Sequence, residues 1–297
     1  MSDDLFPDFS TERIDGVHGV RIFCRVGGDG PPVVLVHGFP QTHAIWHQVA
    51  PALAAEHTVV VVDLRGYGRS DAPPDDTAHI TYSKREMGAD VRSVMRELGF
   101  ARFAVVGHDR GGRVAYRMAL DHPKVVERVA VLDILPTLEY WDRLDRRFGL
   151  NIYHWMFLAQ PAPFPERLIG GDPHYYCDHT LASWTHDHTL DPFVPAALAE
   201  YRAMFDEPAR IAAMCADYRA GATTDVDHDI EDRDAGRRIE VPLLDAYGFT
   251  GITPTRTHGD VWRRWARDVT STTIPCGHFV AEEDPAATTR ALERFLA

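Results

Sequence analysis

The stretch Phe103-Ala104-Val105-Val106-Gly107-His108-Asp109-Arg110-Gly111-Gly112-Arg113 decides how the rest of the chain is read. A short apolar run closed by glycine reads as a buried strand, and Gly111-Gly112 followed by Val114, Ala115, Met118 and Ala119 reads as a helix that starts almost at once. Between them sits Asp109. The spacing Gly107-x-Asp109-x-Gly111 is that of a nucleophile elbow, a sharp strand-to-helix turn whose flanking glycines leave room for one side chain held at the sheet's edge. Here that side chain is a carboxylate. A carboxylate cannot cleave esters by the serine route, but it can displace a leaving group from saturated carbon and form an alkyl ester with the protein.

Outward from this turn the same grammar repeats. Val20 to Val26 alternates, a Gly/Pro turn follows, and Val33-Val34-Leu35-Val36 is a fully apolar strand ending in His37-Gly38-Phe39-Pro40. Thr58 to Asp63 is a further apolar run, ending in Leu64-Arg65-Gly66-Tyr67-Gly68, and Met87, Val91, Val94, Met95 and Leu98 fall at helical spacing. Beyond the elbow, Val129-Ala130-Val131-Leu132 stops at Asp133. Buried runs alternating with helices predict an α/β fold: a mostly parallel central sheet flanked by helices, with ligands at the carboxyl ends of the strands. From Thr137 to about Arg237 strand runs are absent and aromatics, prolines and histidines crowd together, so a helical cap inserted after the strand ending at Asp133 is expected. The expected domains are a core of 1–136 and 237–297 and a cap of 137–236. Strand grammar resumes at Val241 to Gly248 and at Val269 to Ile274, and a closing helix carries Ala291, Leu292, Phe295 and Leu296.

Composition bounds the function. With 297 residues, 45% hydrophobic and 25% charged, the chain is expected to be globular. A formal net charge of −13 argues against nucleic acid or an anionic membrane as partner, since both need clustered positive charge, and it means that an anionic substrate would need cations placed locally. The N-terminus has neither the basic start nor the apolar core of a secretory signal, and no apolar run is long enough to span a membrane. The four cysteines, Cys24, Cys177, Cys215 and Cys276, show no metal spacing, which fits reduced thiols in a cytoplasmic protein.

Three further groups complete a reaction set. His278, in Gly277-His278-Phe279, is the expected base that takes a proton from water. Its orienting acid is expected at Asp133: the α/β-hydrolases that this set resembles place the acid after either of two strands, and Phe249-Thr250-Gly251-Ile252-Thr253, after the later one, contains no carboxylate; Asp245, inside that strand, is the lesser alternative. Arg110 adjoins the nucleophile and Arg113 follows one helical turn later. Two guanidiniums beside one catalytic carboxylate suit a substrate that carries its own carboxylate, which arginine can clamp. They should also lower the pKa of Asp109.

The chain order elbow residue, acid, histidine and these motifs resemble the α/β-hydrolase superfamily over nearly the whole length. Asp109 at the elbow narrows the resemblance to the haloalkane dehalogenase, epoxide hydrolase and fluoroacetate dehalogenase branches, which implies an α/β-hydrolase fold and an aspartyl ester intermediate. His108-Asp109-Arg110-Gly111-Gly112-Arg113 is similar to the fluoroacetate dehalogenase pattern. That resemblance implies that both arginines bind the substrate carboxylate and that His154, Trp155 and Tyr218 bind the departing halide. Trp184 is expected to shape the same pocket, and the backbone N–H groups of Phe39 and Arg110 to hold the ester oxyanion. The implied reaction is hydrolysis of fluoroacetate to glycolate and fluoride with neither metal nor organic cofactor. The aromatic-rich insertion is the expected seat of a homodimer. The alternatives are an epoxide hydrolase, for which only Tyr218 offers itself as a ring-opening acid, a dehalogenase of larger 2-haloacids, and a noncatalytic receptor for a small acid.

Overall fold

The computed structural model describes residues 5–251 and 258–297; residues 1–4 of the N-terminus and Ile252 and Thr253 of the loop discussed above lie outside them. The strands are Ser10–Asp15 (β1), Arg21–Gly27 (β2), Pro32–Val36 (β3), Thr58–Val62 (β4), Phe103–His108 (β5), Val126–Leu132 (β6), Leu243–Gly248 (β7) and Val269–Ile274 (β8). They form one eight-stranded sheet in the order β1-β2-β4-β3-β5-β6-β7-β8. β2 runs antiparallel to both neighbours and the remaining pairings are parallel. The expected mostly parallel sheet is what the chain builds.

Its interior strands read as unbroken apolar runs because both faces are covered. Val33, Leu35, Val59, Val61, Val106 and Leu132 pack with Trp46 and Leu292 on one side, while Val34, Val36, Val60, Val62, Val105 and Val131 pack with Val91, Val114 and Met118 on the other. Successive side chains point to opposite faces, so each run needs apolar residues at every position. Burying each large apolar side chain contributes about 1.5–3 kcal/mol. β1, Ser-Thr-Glu-Arg-Ile-Asp, carries no such run, which is why apolar patterning misses it. It is an exposed edge strand held by its ladder to β2.

Between β6 and β7 the chain is helical throughout, from Thr137–Asp142 to Thr224–Asp234. This insertion is fastened to the helix Arg110–Asp121 by buried polar contacts. Tyr116 donates to Asp229 at 2.9 Å, and Arg117 pairs with Asp229 at 2.8 Å and with Asp232; within the insertion the Leu138 N–H also donates to Asp229, at 3.1 Å. No helix among the described residues is long and apolar enough to cross a membrane.

Candidate active site

β5 ends at His108 and the helix Arg110–Asp121 begins one residue after Asp109. The turn has no room for side chains at the glycines that flank Asp109. A Cβ at Gly107 would lie 2.2 Å from the Gly111 carbonyl oxygen, and one at Gly111 would lie 2.3 Å from the Val36 carbonyl oxygen. Asp109 itself has φ 46° and ψ −115°, a conformation that costs an L-residue about 1–3 kcal/mol and persists because the surroundings enforce it. Asp133, directly after β6, also has positive φ, at 52°. Both strained residues are carboxylates at adjacent strand ends.

His278 joins them. Its Nδ1–H donates to Asp133 Oδ2 at 2.6 Å, which leaves Nε2 facing Asp109 Oδ2 at 3.9 Å with no hydrogen-bond partner. The other oxygen of Asp133 accepts the Gly248 N–H at 3.0 Å. Asp133, rather than Asp245, therefore lies against the histidine. Asp245 is buried elsewhere, bonded to His258 at 3.0 Å and accepting from Ser271 at 3.0 Å, which accounts for an acid inside a strand. Two contacts that sequence reasoning did not find fix the histidine's backbone: its N–H donates to the Trp184 carbonyl at 3.0 Å, and its carbonyl accepts the Nε2–H of His108 at 2.9 Å.

The Phe39 N–H donates to Asp109 Oδ1 at 3.0 Å. Gly38 permits this approach, since a Cβ there would lie 2.4 Å from the Cβ of Asp109. Burial pushes the Asp109 carboxyl up, but the charges of His278, then His108, Arg113 and Arg110, bring it below its ordinary value. The direction matches expectation, with the histidines ahead of the arginines. His278 is held above its ordinary value: burial works against the charge, and the hydrogen bond and charge of Asp133, followed by the charge of Asp109, outweigh it.

The insertion closes the other side with aromatic rings. Tyr218 meets Phe39 at 5.2 Å, His154 at 5.6 Å and Trp155 at 6.0 Å between ring centroids, and Trp184 lies 4.4 Å from His154 and 5.5 Å from His278. Both arginines stack into this wall, Arg110 4.3 Å from the Tyr218 ring, and Arg113 4.4 Å from Trp155 and 4.5 Å from Tyr140. All ten residues singled out from the sequence thus come together around Asp109, which is only 3% exposed. What the sequence did not reveal is how Arg110 is engaged: its Nε and Nη2 bind the Asp217 carboxylate at 3.0 and 2.6 Å. The one available signal was an acid in the otherwise apolar Ala212-Ala213-Met214-Cys215-Ala216-Asp217-Tyr218.

Several buried polar atoms around Asp109 have no hydrogen-bond partner among the described residues: Arg110 Nη1, Arg113 Nε and Nη2, both ring nitrogens of His154, the Tyr218 hydroxyl and His278 Nε2. Such atoms are costly unless something binds them. Burial keeps His154 neutral, with its pKa pushed down to about 3, and pushes the Tyr218 phenol well up, so both offer hydrogen-bond donors at neutral pH.

A family model described as alpha/beta hydrolase fold matches residues 31–285. The chain belongs to the alpha/beta hydrolase fold family. Within that family it is 44% identical over 293 residues to a fluoroacetate dehalogenase of Burkholderia sp, covering 98% of this chain and 95% of that protein. It is 32% identical over 274 residues to a soluble epoxide hydrolase of Corynebacterium sp. (strain C12), covering 91% of each. A solved structure from Nostoc sp PCC 7120, assigned in its description to the alpha/beta hydrolases, superposes with a TM-score of 0.95 at 46% identity over 98% of this chain and 99% of that one. The features of this alpha/beta hydrolase that bear on its chemistry are the carboxylate at the elbow and the two buried arginines beside it.

Proposed function

We propose that the protein is a haloacid dehalogenase that converts fluoroacetate and water to glycolate and fluoride. The observation that carries this reading is the set of unpartnered buried donors facing one nucleophilic carboxylate: guanidinium N–H groups that suit a carboxylate, and neutral ring and phenol donors that suit a halide. The relative named a fluoroacetate dehalogenase supports it. We read 137–236 as the cap that supplies the halide side.

In this scheme Arg110 and Arg113 hold the substrate carboxylate. An Asp109 oxygen attacks the carbon bearing fluorine, forming a C–O bond as the C–F electron pair leaves with fluoride toward His154, Trp155 and Tyr218. Fluoride is a poor leaving group unless hydrogen-bonded in a water-poor site. His278 Nε2 then takes a proton from water, whose oxygen attacks the ester carbonyl carbon while the Phe39 N–H holds the oxyanion; on collapse the bond from that carbon to the glycolate oxygen breaks, the proton on His278 passes to that oxygen, and glycolate leaves. Asp133 keeps the tautomer of His278 and stabilises the imidazolium. Neither metal nor organic cofactor enters the scheme.

A fluoride electrode tests the proposal: purified protein incubated with fluoroacetate should release fluoride, and silence there alongside turnover of styrene oxide would establish the epoxide hydrolase reading instead. That second reading has the Corynebacterium relative and Tyr218 in its favour. Two buried tyrosines are taken out of the count for a second ring-opening acid, because the Tyr67 hydroxyl donates to Asp217 at 2.7 Å and that of Tyr201 to Glu282 at 2.9 Å.

Replacing Arg113 by Met keeps the volume between Tyr140 and Trp155 and removes the charge. KM for fluoroacetate should rise by about 100-fold or more, the worth of a charge-assisted contact of about 3 kcal/mol, with the melting temperature changed far less. An unaltered KM would remove Arg113 from the substrate.

The insertion also carries exposed apolar side chains, Leu150, Tyr153, Phe164, Leu168 and Tyr175, between 38% and 73% exposed. We assign this surface to a homodimer. Light scattering should give twice the mass of one chain, and Leu168→Glu should move the population toward one chain. Four free, buried cysteines fit a reducing compartment, and we place the protein in the cytoplasm.

A further inference from the structure

The two arginines are not equivalent. Arg110 is committed to the carboxylate of Asp217, a residue of the insertion helix Pro208–Ala222: Nε and Nη2 bind its two oxygens at 3.0 and 2.6 Å, and Nη2 also reaches its backbone carbonyl at 2.7 Å. Only Nη1 is left. Asp217 in turn accepts the Tyr67 hydroxyl at 2.7 Å and pairs with Lys84, whose ammonium lies 3.5 Å from Asp225. Arg110, Asp217, Lys84 and Asp225 are all at least 96% buried, and two cations face two carboxylates. Burial and the neighbouring Arg110 push the Lys84 ammonium below its ordinary value, while the carboxylates of Asp217 and Asp225 work in the opposite direction.

Arg113 is bound differently. Its Nη1–H groups go to uncharged oxygens, the Leu135 carbonyl at 2.9 Å and the Thr137 hydroxyl at 3.2 Å, its faces are covered by Tyr140 and Trp155, and Nε and Nη2 have no partner. No carboxylate lies within ion-pair distance of it among the described residues. The two guanidiniums thus lie one turn apart on the same helix, one neutralised and the other with its charge unspent.

We propose that Asp217 is a positioning residue that divides the work between the arginines: it holds and neutralises Arg110, so that Arg110 offers only its Nη1 amino group, and it leaves Arg113 to supply the net charge that draws in the substrate carboxylate. The division answers a problem set by chemistry. The acid must be held while its neighbouring carbon is attacked by a second anion, Asp109. Two unneutralised guanidiniums would bind any small carboxylate, product included, more tightly than turnover allows, and would pull the Asp109 carboxylate toward themselves. The inference rests on the carboxylate-binding reading proposed above.

The test is calorimetric titration with acetate, which has a carboxylate and no leaving group, so that binding is read without turnover. Asp217→Asn leaves an oxygen to accept from Arg110 and adds one positive charge, and acetate should bind about tenfold more tightly by the Coulomb effect of an unscreened buried charge. Asp225→Asn should act in the same direction, less strongly. Lys84→Met removes one positive charge and should weaken acetate by a similar factor, with Lys84→Arg restoring it. Opposite signs are the signature, because a merely structural role of the cluster would weaken binding in every variant. In fluoride release, Asp217→Asn should lower kcat and KM together, since the substrate is held more tightly and Arg110 less well. Weaker acetate binding in Asp217→Asn, or no change in any of the four variants, overturns the proposal. Should Lys84→Met not fold, the sign of the two Asn variants decides it alone. Wild-type fluoride release measured alongside keeps the questions apart: its absence overturns the dehalogenase reading, while the acetate titrations still report on the charge balance.

Discussion

Asp109→Asn should release no fluoride from fluoroacetate, a fall of at least about 10⁴-fold, because the neutral amide cannot displace a halide from saturated carbon. The substitution is isosteric. The Phe39 N–H can still donate to the amide oxygen as it does to Asp109 Oδ1 at 3.0 Å, so the elbow is preserved and the loss is chemical. Circular dichroism and the melting temperature should stay near those of the wild type, and the variant should still bind acetate. Retained fluoride release at even a hundredth of the wild-type rate, in protein protected from deamidation, would remove Asp109 as nucleophile.

His278→Asn divides the reaction at its midpoint. Attack by Asp109 does not need the base, so fluoride should appear in an amount equal to the enzyme and then stop, while the peptide containing Asp109 gains the mass of a carboxymethyl group. Continued turnover, or fluoride without the adduct, contradicts the assigned roles. The same split should appear in the wild type as a function of pH. Asp109 is held below its ordinary value and His278 above its own, each in part by the charge of the other. Esterification removes the Asp109 charge, one of the contributions that hold His278 up, so its pKa falls when it is needed as a base. Lowering the pH through the pKa of His278 in the ester should therefore stall hydrolysis while fluoride release in the first turnover persists. Rapid acid quench and mass analysis would show the ester accumulating on the acid side.

The residues that carry these predictions were readable because each obeys a local rule. The elbow is written in the glycines around Asp109, and Asp133 follows from the lack of a carboxylate in Phe249-Thr250-Gly251. The sheet was legible because parallel strands covered on both faces must be apolar at every position. Other features obey no local rule. β1 is a polar edge whose pairing is made by backbone groups, and Asp217 meets Arg110 across 107 residues of sequence, a distance that no spacing argument spans. His108 shows the same limit. Beside the nucleophile it looks like part of the chemistry, yet its ring holds the backbone of His278 and burial pushes its pKa down to about 4.

Gly251 bears on how such sites diverge. A Cβ grown from it would lie 2.3 Å from Asp133 Oδ1, so Gly251, after β7, stands almost on top of the carboxylate that arrives from β6. The acid that serves His278 is thus a place in space reachable from two points of the chain, and the place holds one tenant. A lineage that moved its acid from one loop to the other could not have carried both side chains at full size in this geometry. In this protein the small residue at one of the two positions is Gly251.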